Sequence, residues 1–146
     1  MRIAVGSDHA GLNLKREVSA LLKEMSIEVE DFGCYNTESV DYPDVARPVA
    51  EAVARGAFDR GILICGTGIG VSIAANKVKG IRAALCHDTF SAHSSLEHNN
   101  ANVLCMGERV IGAGAAMDVV RTWVGARFSG EERHARRVAK IAQVEK

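Results

Sequence analysis

The sequence predicts an α/β domain built on a five-stranded parallel sheet with helices on both faces. Three observations carry this expectation. Short β-like runs alternate with longer helix-like stretches along the whole chain, as in repeated βαβ units. Three of the five runs, GILIC (61–65), RAALC (82–86) and NVLCM (102–106), are largely apolar rather than alternating, the pattern of strands covered on both faces. A length of 146 residues holds one sizeable core and not two, so residues 1–146 are read as a single domain.

RIAVGS (2–7) opens the chain as strand 1, and a helical pattern follows with Leu14, Val18, Leu21, Leu22 and Met25 on one face. IEVEDF (27–32) alternates apolar and acidic residues, as an edge strand does. The turn-rich segment GCYNTESVDYPD leads to Pro43, suited to the first turn of a helix whose inner side carries Val45, Val49, Ala52 and Val53. Further helices are expected at about 68–78, 88–98 and 112–125. The last, about 129–145, opens on Ser129 and Glu132 at capping-box spacing. Five such strands are expected in the order 2-1-3-4-5, which puts the reversal of strand order between strands 1 and 3. Open sheets bind ligands at that point, and the two tips there read GSDHAG (6–11) and CGTGIG (65–70).

Composition narrows the classes. Hydrophobic residues make up 47% and charged residues 25%, ordinary for a soluble globular chain. The formal net charge is zero, so no global field recruits nucleic acid or an acidic membrane. No apolar stretch approaches the roughly 20 residues of a membrane span. The N-terminus enters a strand pattern directly, without the apolar core of a signal peptide. The four cysteines, Cys34, Cys65, Cys86 and Cys105, include no C-x-x-C pair, which argues against a zinc site. The expectation is a cytoplasmic protein with reduced thiols.

The loop ILICGTGIG (62–70) admits several readings. Gly66, Gly68 and Gly70 are one residue short of the dinucleotide fingerprint and follow the third strand, not the first. Asp88 lies at a tolerable distance for the ribose, so that reading stays open, but it gives Cys65 no task. A cysteine phosphatase needs C-x5-R to clamp the phosphoryl group, and the arginine position holds Val71. The third reading makes Cys65 a general base. Free thiols titrate near ~8.5 and helix N-termini favour the thiolate, while the amides there, with the Thr67 hydroxyl, could hold an oxyanion. Base plus anion hole suits proton abstraction beside a carbonyl. A buried structural thiol is the ordinary alternative, and it is the one expected for Cys86 and Cys105.

Asp8 and His9 end strand 1 across the same crevice, where either could simply cap the next helix. His98 and Asn99 lie between a helical stretch and strand 5, read either as a polar turn with a capping asparagine or as an acid/base titrating near neutrality. The last helix carries Arg133, Arg136, Arg137 and Lys140 on one broad side with His134 adjacent, and Arg109 follows strand 5. Such a stripe is usually a solvated face. In a neutral chain without interleaved aromatics, it suits a phosphate better than a nucleic acid.

GSDHAG, DYPD, ILICGTGIGVSIAANKVKGIRAAL, EHNNANVLCMGERV and RHARRV, in this order over nearly the whole chain, resemble the type B ribose-5-phosphate isomerases and their relatives, the galactose-6-phosphate isomerase subunits. The resemblance implies a Rossmann-like α/β/α sandwich, a homodimer or homotetramer with active sites shared between subunits, and no metal or cofactor. It implies interconversion of ribose 5-phosphate and ribulose 5-phosphate in the pentose phosphate pathway. The family's base is a cysteine at the position of Cys65 or a glutamate at that of Val71, and this chain has the cysteine. Carried over, Cys65 moves the proton between C2 and C1 through a cis-enediolate. Thr67 and the amides of Gly66 to Gly70 hold the oxyanion. His98, assisted by Asp8, opens the furanose ring, and Asn99 and Tyr42 contact sugar hydroxyls or close the pocket. His9, Arg109, Arg133 and Arg137 hold the phosphate, some across the subunit interface made in part by the C-terminal helix. A six-carbon sugar phosphate, such as allose 6-phosphate or galactose 6-phosphate, is the rival substrate. A non-catalytic nucleotide or phosphosugar module is the rival class, disfavoured because a pure binder needs no base.

Overall fold

A computed structural model describes residues 1–145. Five strands, β1 (Arg2–Ser7), β2 (Glu28–Asp31), β3 (Arg60–Cys65), β4 (Ala83–Leu85) and β5 (Val103–Gly107), form one sheet. Six helices accompany them: α1 (Leu12–Glu24), α2 (Tyr42–Ala54), α3 (Ile69–Asn76), α4 (Thr89–Glu97), α5 (Ala113–Gly125) and α6 (Glu132–Val144). Every strand pair is parallel. The expected class and layering are therefore present, and the element positions agree to within a few residues.

The strand order is β2-β1-β3-β5-β4, so the last two strands exchange places relative to the expected 2-1-3-4-5. Burial gives one reason. All five residues of β5 are buried, whereas β4 is three residues long and partly exposed, fit for an edge and not for the sheet interior expected of it. Chirality gives the other. Right-handed crossovers outward from β3 to β4 and back to β5 put α3 on the face of α2, and α4 on the face of α1 and α5. The expected order would have crowded α2, α3 and α4 onto one side. Asn76 finishes the edge. Its amide donates to the Ala83 carbonyl at 3.0 Å and accepts from the Ala83 N–H at 2.8 Å, occupying backbone groups that another strand could otherwise pair with.

Side-chain alternation splits the core into two layers. Ile3, Val5, Ile62, Ile64, Leu104 and Met106 meet Val18, Leu22 and the buried Trp123 on one face. Ala4, Leu63, Val103 and Cys105 meet Val49 and Val71 on the other. Met25, expected on the inner face of the first helix, instead lies just past its end and is partly exposed. The last helix starts at Glu132 and not at 129, and the expected capping box does not form. Gly130, at φ +68°, turns the chain before the helix begins, and the Ser129 hydroxyl meets His134 Nδ1 at 2.6 Å. Of this helix only His134 is buried, while Ile141 and Val144 remain exposed.

Candidate active site

The crevice between β1 and β3 gathers most of the residues expected to act. Asp8 follows the end of β1, and its Oδ1 accepts the Ala10 and Gly11 amides at 3.0 and 3.2 Å, capping a 3-10 turn at His9–Gly11. The ordinary capping role thus holds for Asp8 at one carboxylate oxygen. His9 accepts the Val40 N–H at Nδ1, 3.2 Å away, which places the proton of the neutral ring on Nε2. Asp8, His9, Val40 and Tyr42 line one surface depression. The Tyr42 ring lies over Gly70, where an added Cβ would come within 2.7 Å of Cζ.

Cys65 is the last residue of β3 and is 5% exposed. The Gly68 amide donates to its Sγ at 3.1 Å, at the N-terminus of α3. Gly68 has φ +78°, and a side chain there would press to 2.7 Å from the Met106 carbonyl carbon, so only glycine lets the amide turn toward the sulfur. The Sγ thus accepts a backbone N–H at the first turn of a helix. Thr67 is exposed, and its Oγ1 accepts the Ile69 N–H at 3.2 Å, which leaves its O–H to donate.

The tip of β5 completes this half. Gly107 stands opposite Cys65 in the sheet register. The Glu108 amide donates to the Cys65 carbonyl at 2.9 Å, and the Arg109 amide to the Gly66 carbonyl at 3.1 Å. The Arg109 side chain lies over Gly66, 3.5 Å from where a Cβ would stand. Glu108 Oε1 also accepts the Leu14 amide at 2.6 Å, tying the first turn of α1 to this loop. His87 enters here unannounced by the sequence: its Nε2 accepts the Gly107 N–H at 2.9 Å. The one available signal was its place just past the apolar run RAALC, at a strand tip.

His98, Asn99, Arg133 and Arg137 are elsewhere. The nine residues of α4 run back from the strand tips for about 14 Å, so its C-cap His98 sits at the amino edge of the sheet. There the His98 ring stacks on His134 with centroids 4.5 Å apart, and Ser129 N–H donates to the Glu97 carbonyl at 3.0 Å. Asn99 helps line a cavity with Ile81, Ala83 and Ile141, and Asn100, at φ +49°, occupies the left-handed position that ends the helix. Arg133 pairs with Glu131 at 3.2 Å, and Arg136 with Glu132 at 2.6 Å, both exposed. One chain therefore brings together Asp8, His9, Tyr42, Cys65, Gly66, Thr67, Gly68, Gly70 and Arg109. It holds His98, Asn99, Arg133 and Arg137 as a separate group.

Burial pushes the Cys86 thiol up, and the fully enclosed Cys105 further still. His87 is held below the ordinary histidine range by burial, partly offset by Asp88. Asp88 accepts the Ser91 amide at 2.6 Å as the cap of α4, a structural task that removes it from the ribose role of the dinucleotide reading. Among the described residues, no group of three or more His, Cys, Asp or Glu side chains is placed to share a metal ion. No helix among them is long and apolar enough to cross a membrane.

A family model described as Ribose/Galactose Isomerase matches residues 3–141. The chain is 50% identical over 144 residues to ribose-5-phosphate isomerase B of Escherichia coli, covering 99% of this chain and 96% of the other. It is 46% identical over 151 residues to D-erythrulose-4-phosphate isomerase 2 of Mycolicibacterium smegmatis, covering 99% and 97%. The solved structure of Clostridium thermocellum ribose-5-phosphate isomerase B superposes with a TM-score of 0.97 at 58% identity, covering 99% of this chain and 97% of that one.

Proposed function

The chain belongs to the ribose/galactose isomerase family and is a sugar-phosphate isomerase, and from that premise we propose that it interconverts ribose 5-phosphate and ribulose 5-phosphate with Cys65 as the base. In the open-chain aldose, the Cys65 thiolate takes the proton from C2. The C–H electron pair forms the C1–C2 double bond of a cis-enediolate, and the carbonyl pair moves onto O1. The proton returns to C1 on the C1–C2 pair, the O2 proton passes to O1, and the O2–H pair forms the C2 carbonyl. This gives the ketose with no net change of charge. The observation that carries this reading is the Gly68 amide aimed at Sγ from 3.1 Å, in a crevice at the strand tips. The Thr67 O–H, left free to donate, and the amides of this loop are the proposed donors to the enediolate oxygens. His9 Nε2–H and Arg109, at the same tips, are donors for a phosphate.

His98, with Asp8 assisting, opens the ring in this scheme. Asn99 and Tyr42 contact hydroxyls, and Arg133 and Arg137 complete the phosphate clamp. Because His98, Asn99 and both arginines lie apart from Cys65 in one chain, the complete site takes these from a second copy. The proposed unit is a homodimer, alone or paired into a homotetramer, with α6 contributing to the contact. The exposed Ile141 and Val144 on that helix support the assignment. Four unpaired cysteines suit a reducing, cytoplasmic setting.

A coupled assay of the purified protein with ribose 5-phosphate tests the chemistry, beside Cys65→Ala. Loss of a general base is expected to lower kcat by about 10²–10⁴-fold. No turnover by the wild type, or undiminished turnover by the variant, overturns the proposal. The 46% identity to a D-erythrulose-4-phosphate isomerase favours a shorter ketose phosphate as the second reading. Comparing kcat/KM across D-erythrulose 4-phosphate, ribose 5-phosphate, allose 6-phosphate and galactose 6-phosphate decides between them.

A further inference from the structure

The mechanism above leaves His87 unused, yet its ring is bonded to the tip of β5, which packs against the Cys65 loop. Strand β4 leaves the sheet after Cys86, whose amide makes the last ladder bond, to the Cys105 carbonyl at 3.1 Å. One step further along β5, Gly107 has no strand neighbour on that side, and His87 Nε2 takes its N–H at 2.9 Å instead. The imidazole thus extends a parallel ladder by one bond.

What that bond holds is the anion-hole loop. Gly107 lies against the Thr67 backbone so closely that an added Cβ would stand 2.4 Å from the Thr67 carbonyl carbon. The next two amides, of Glu108 and Arg109, bond the carbonyls of Cys65 and Gly66. Thr67 in turn precedes the Gly68 amide that meets Sγ. The geometry points to His87 as a positioning residue: by accepting the Gly107 amide it fixes the 107–109 loop, and through it the Thr67–Gly68 backbone, against Cys65. This rests on the isomerase reading only for what the loop is used for.

The bond needs a lone pair on Nε2, so it requires the neutral ring with its proton on Nδ1. The groups around it bear on that state. Asp88, next in sequence, favours the cation, and desolvation opposes it more strongly. Cys86 and the buried Cys105 remain neutral thiols, their titrations displaced upward by burial. From β5, Glu108 and Arg109 flank Gly107 with opposite charges, and Glu108 is occupied at the α1 N-terminus. The first turn of α4 adds no titratable side chain after Asp88. The ring is therefore kept in the form that can accept.

Two substitutions and two readouts test this. His87→Ala removes the acceptor, whereas His87→Gln supplies an amide oxygen that accepts without titrating. With ribose 5-phosphate near pH 7.5, Ala is expected to lower kcat by about ten- to a hundredfold, the effect of misplacing groups by a fraction of an ångström to an ångström. KM is expected to rise less, since the phosphate has ligands outside this loop. Gln is expected to restore kcat to within about threefold of wild type, as for one neutral bond exchanged for another. Independently of turnover, the amide resonance of Gly107 in the wild type should move with pH as the His87 ring titrates, and stay fixed in His87→Gln. A Gly107 resonance insensitive to His87, full activity in Ala, or Gln as impaired as Ala overturns the inference. A wild type silent on ribose 5-phosphate overturns the substrate reading instead, and the Gly107 titration still decides the role of His87.

Discussion

Gly107→Ala puts the close approach of β5 to the Cys65 loop to a quantitative test. The new Cβ would stand 2.4 Å from the Thr67 carbonyl carbon and 2.6 Å from its Cα and oxygen. Ordinary contact begins near 3.4 Å, so backbone must yield by about 1 Å, and no flexible side chain can absorb the shift. That displacement breaks or stretches the Glu108–Cys65 and Arg109–Gly66 bonds, now 2.9 and 3.1 Å. At about 1 kcal/mol for each bond, with residual strain added, the expected loss of stability is about 2–4 kcal/mol. For a chain of this size that is a fall in Tm of roughly 5–15 °C at fixed protein concentration. The same movement carries Thr67 and the Gly68 amide away from Sγ, so kcat is expected to fall by about a hundredfold. Gly114→Ala is the control: it lies in α5 with no atom within 4 Å of its added Cβ. Its stability should hold or rise slightly, by up to about 1 kcal/mol, with a matching small rise in Tm. Differential scanning calorimetry and the coupled assay read both variants. A Gly107→Ala protein with wild-type Tm and kcat, or an equal loss in Gly114→Ala, would refute the packing argument.

Mixing tests the proposed shared site. Cys65→Ala and His98→Ala homodimers are each expected to be nearly inactive, and unfolding and refolding them together should restore about one quarter of wild-type sites, since half the dimers are mixed and each then holds one intact site. Failure of the mixture to recover activity, with mixed dimers demonstrated by mass, counts against sites divided between chains. Stability should fall at both ends of the pH range. His87 has a depressed folded pKa, so its contribution is present above the ordinary histidine value near ~6.5 and is lost as pH falls toward the folded value. Cys86 and Cys105 have raised folded values, so theirs is present below the ordinary thiol range and is lost as pH rises beyond about 9, where the unfolded thiols ionise. Urea titrations across pH should lose the acid slope in His87→Gln and reduce the alkaline slope in Cys105→Ala. Unchanged slopes would sink these assignments.

The class of fold was legible because parallel βαβ units leave a coarse signature: apolar runs and amphipathic helices in strict alternation. The place of the fourth strand was not. RAALC and NVLCM look alike as strings, and apolarity alone does not say which lies inside. The choice falls to crossover handedness and to Asn76, whose side chain closes the outer edge of β4 from seven residues away. Ser129 and Glu132 misled for a related reason. Their spacing fits a capping box, but Gly130 between them turns the chain, and Ser129 binds His134 instead. The Cys65 loop was readable because glycines beside a strand-end thiol are costly unless backbone must come close. His87 was not, because its task is a bond to a backbone amide twenty residues on, and no local pattern announces such a bond.

The division of the candidate residues into two groups follows from the same geometry that makes the crevice. In a parallel sheet each connecting helix starts at the carboxyl tips of the strands and ends near their amino edge. Helix N-termini, with unpaired amides suited to anions, therefore collect beside Cys65, while helix C-termini are carried to the far side. His98 caps the C-terminus of α4, so no adjustment of loops within one chain brings it to the tip of β3. Arg133 and Arg137 share its fate, because α6 begins against the same end of α4 through the Ser129–Glu97 bond and the His98–His134 stack. Under the proposed chemistry, proton transfer at C2 and ring opening are thus assigned to groups that this topology keeps apart. A second copy that lays its α4–α6 corner over the strand tips joins them without distorting either fold. Catalysis and assembly then depend on one contact. A variant that dissociates the proposed dimer should lose turnover even with every residue of the Cys65 crevice in place.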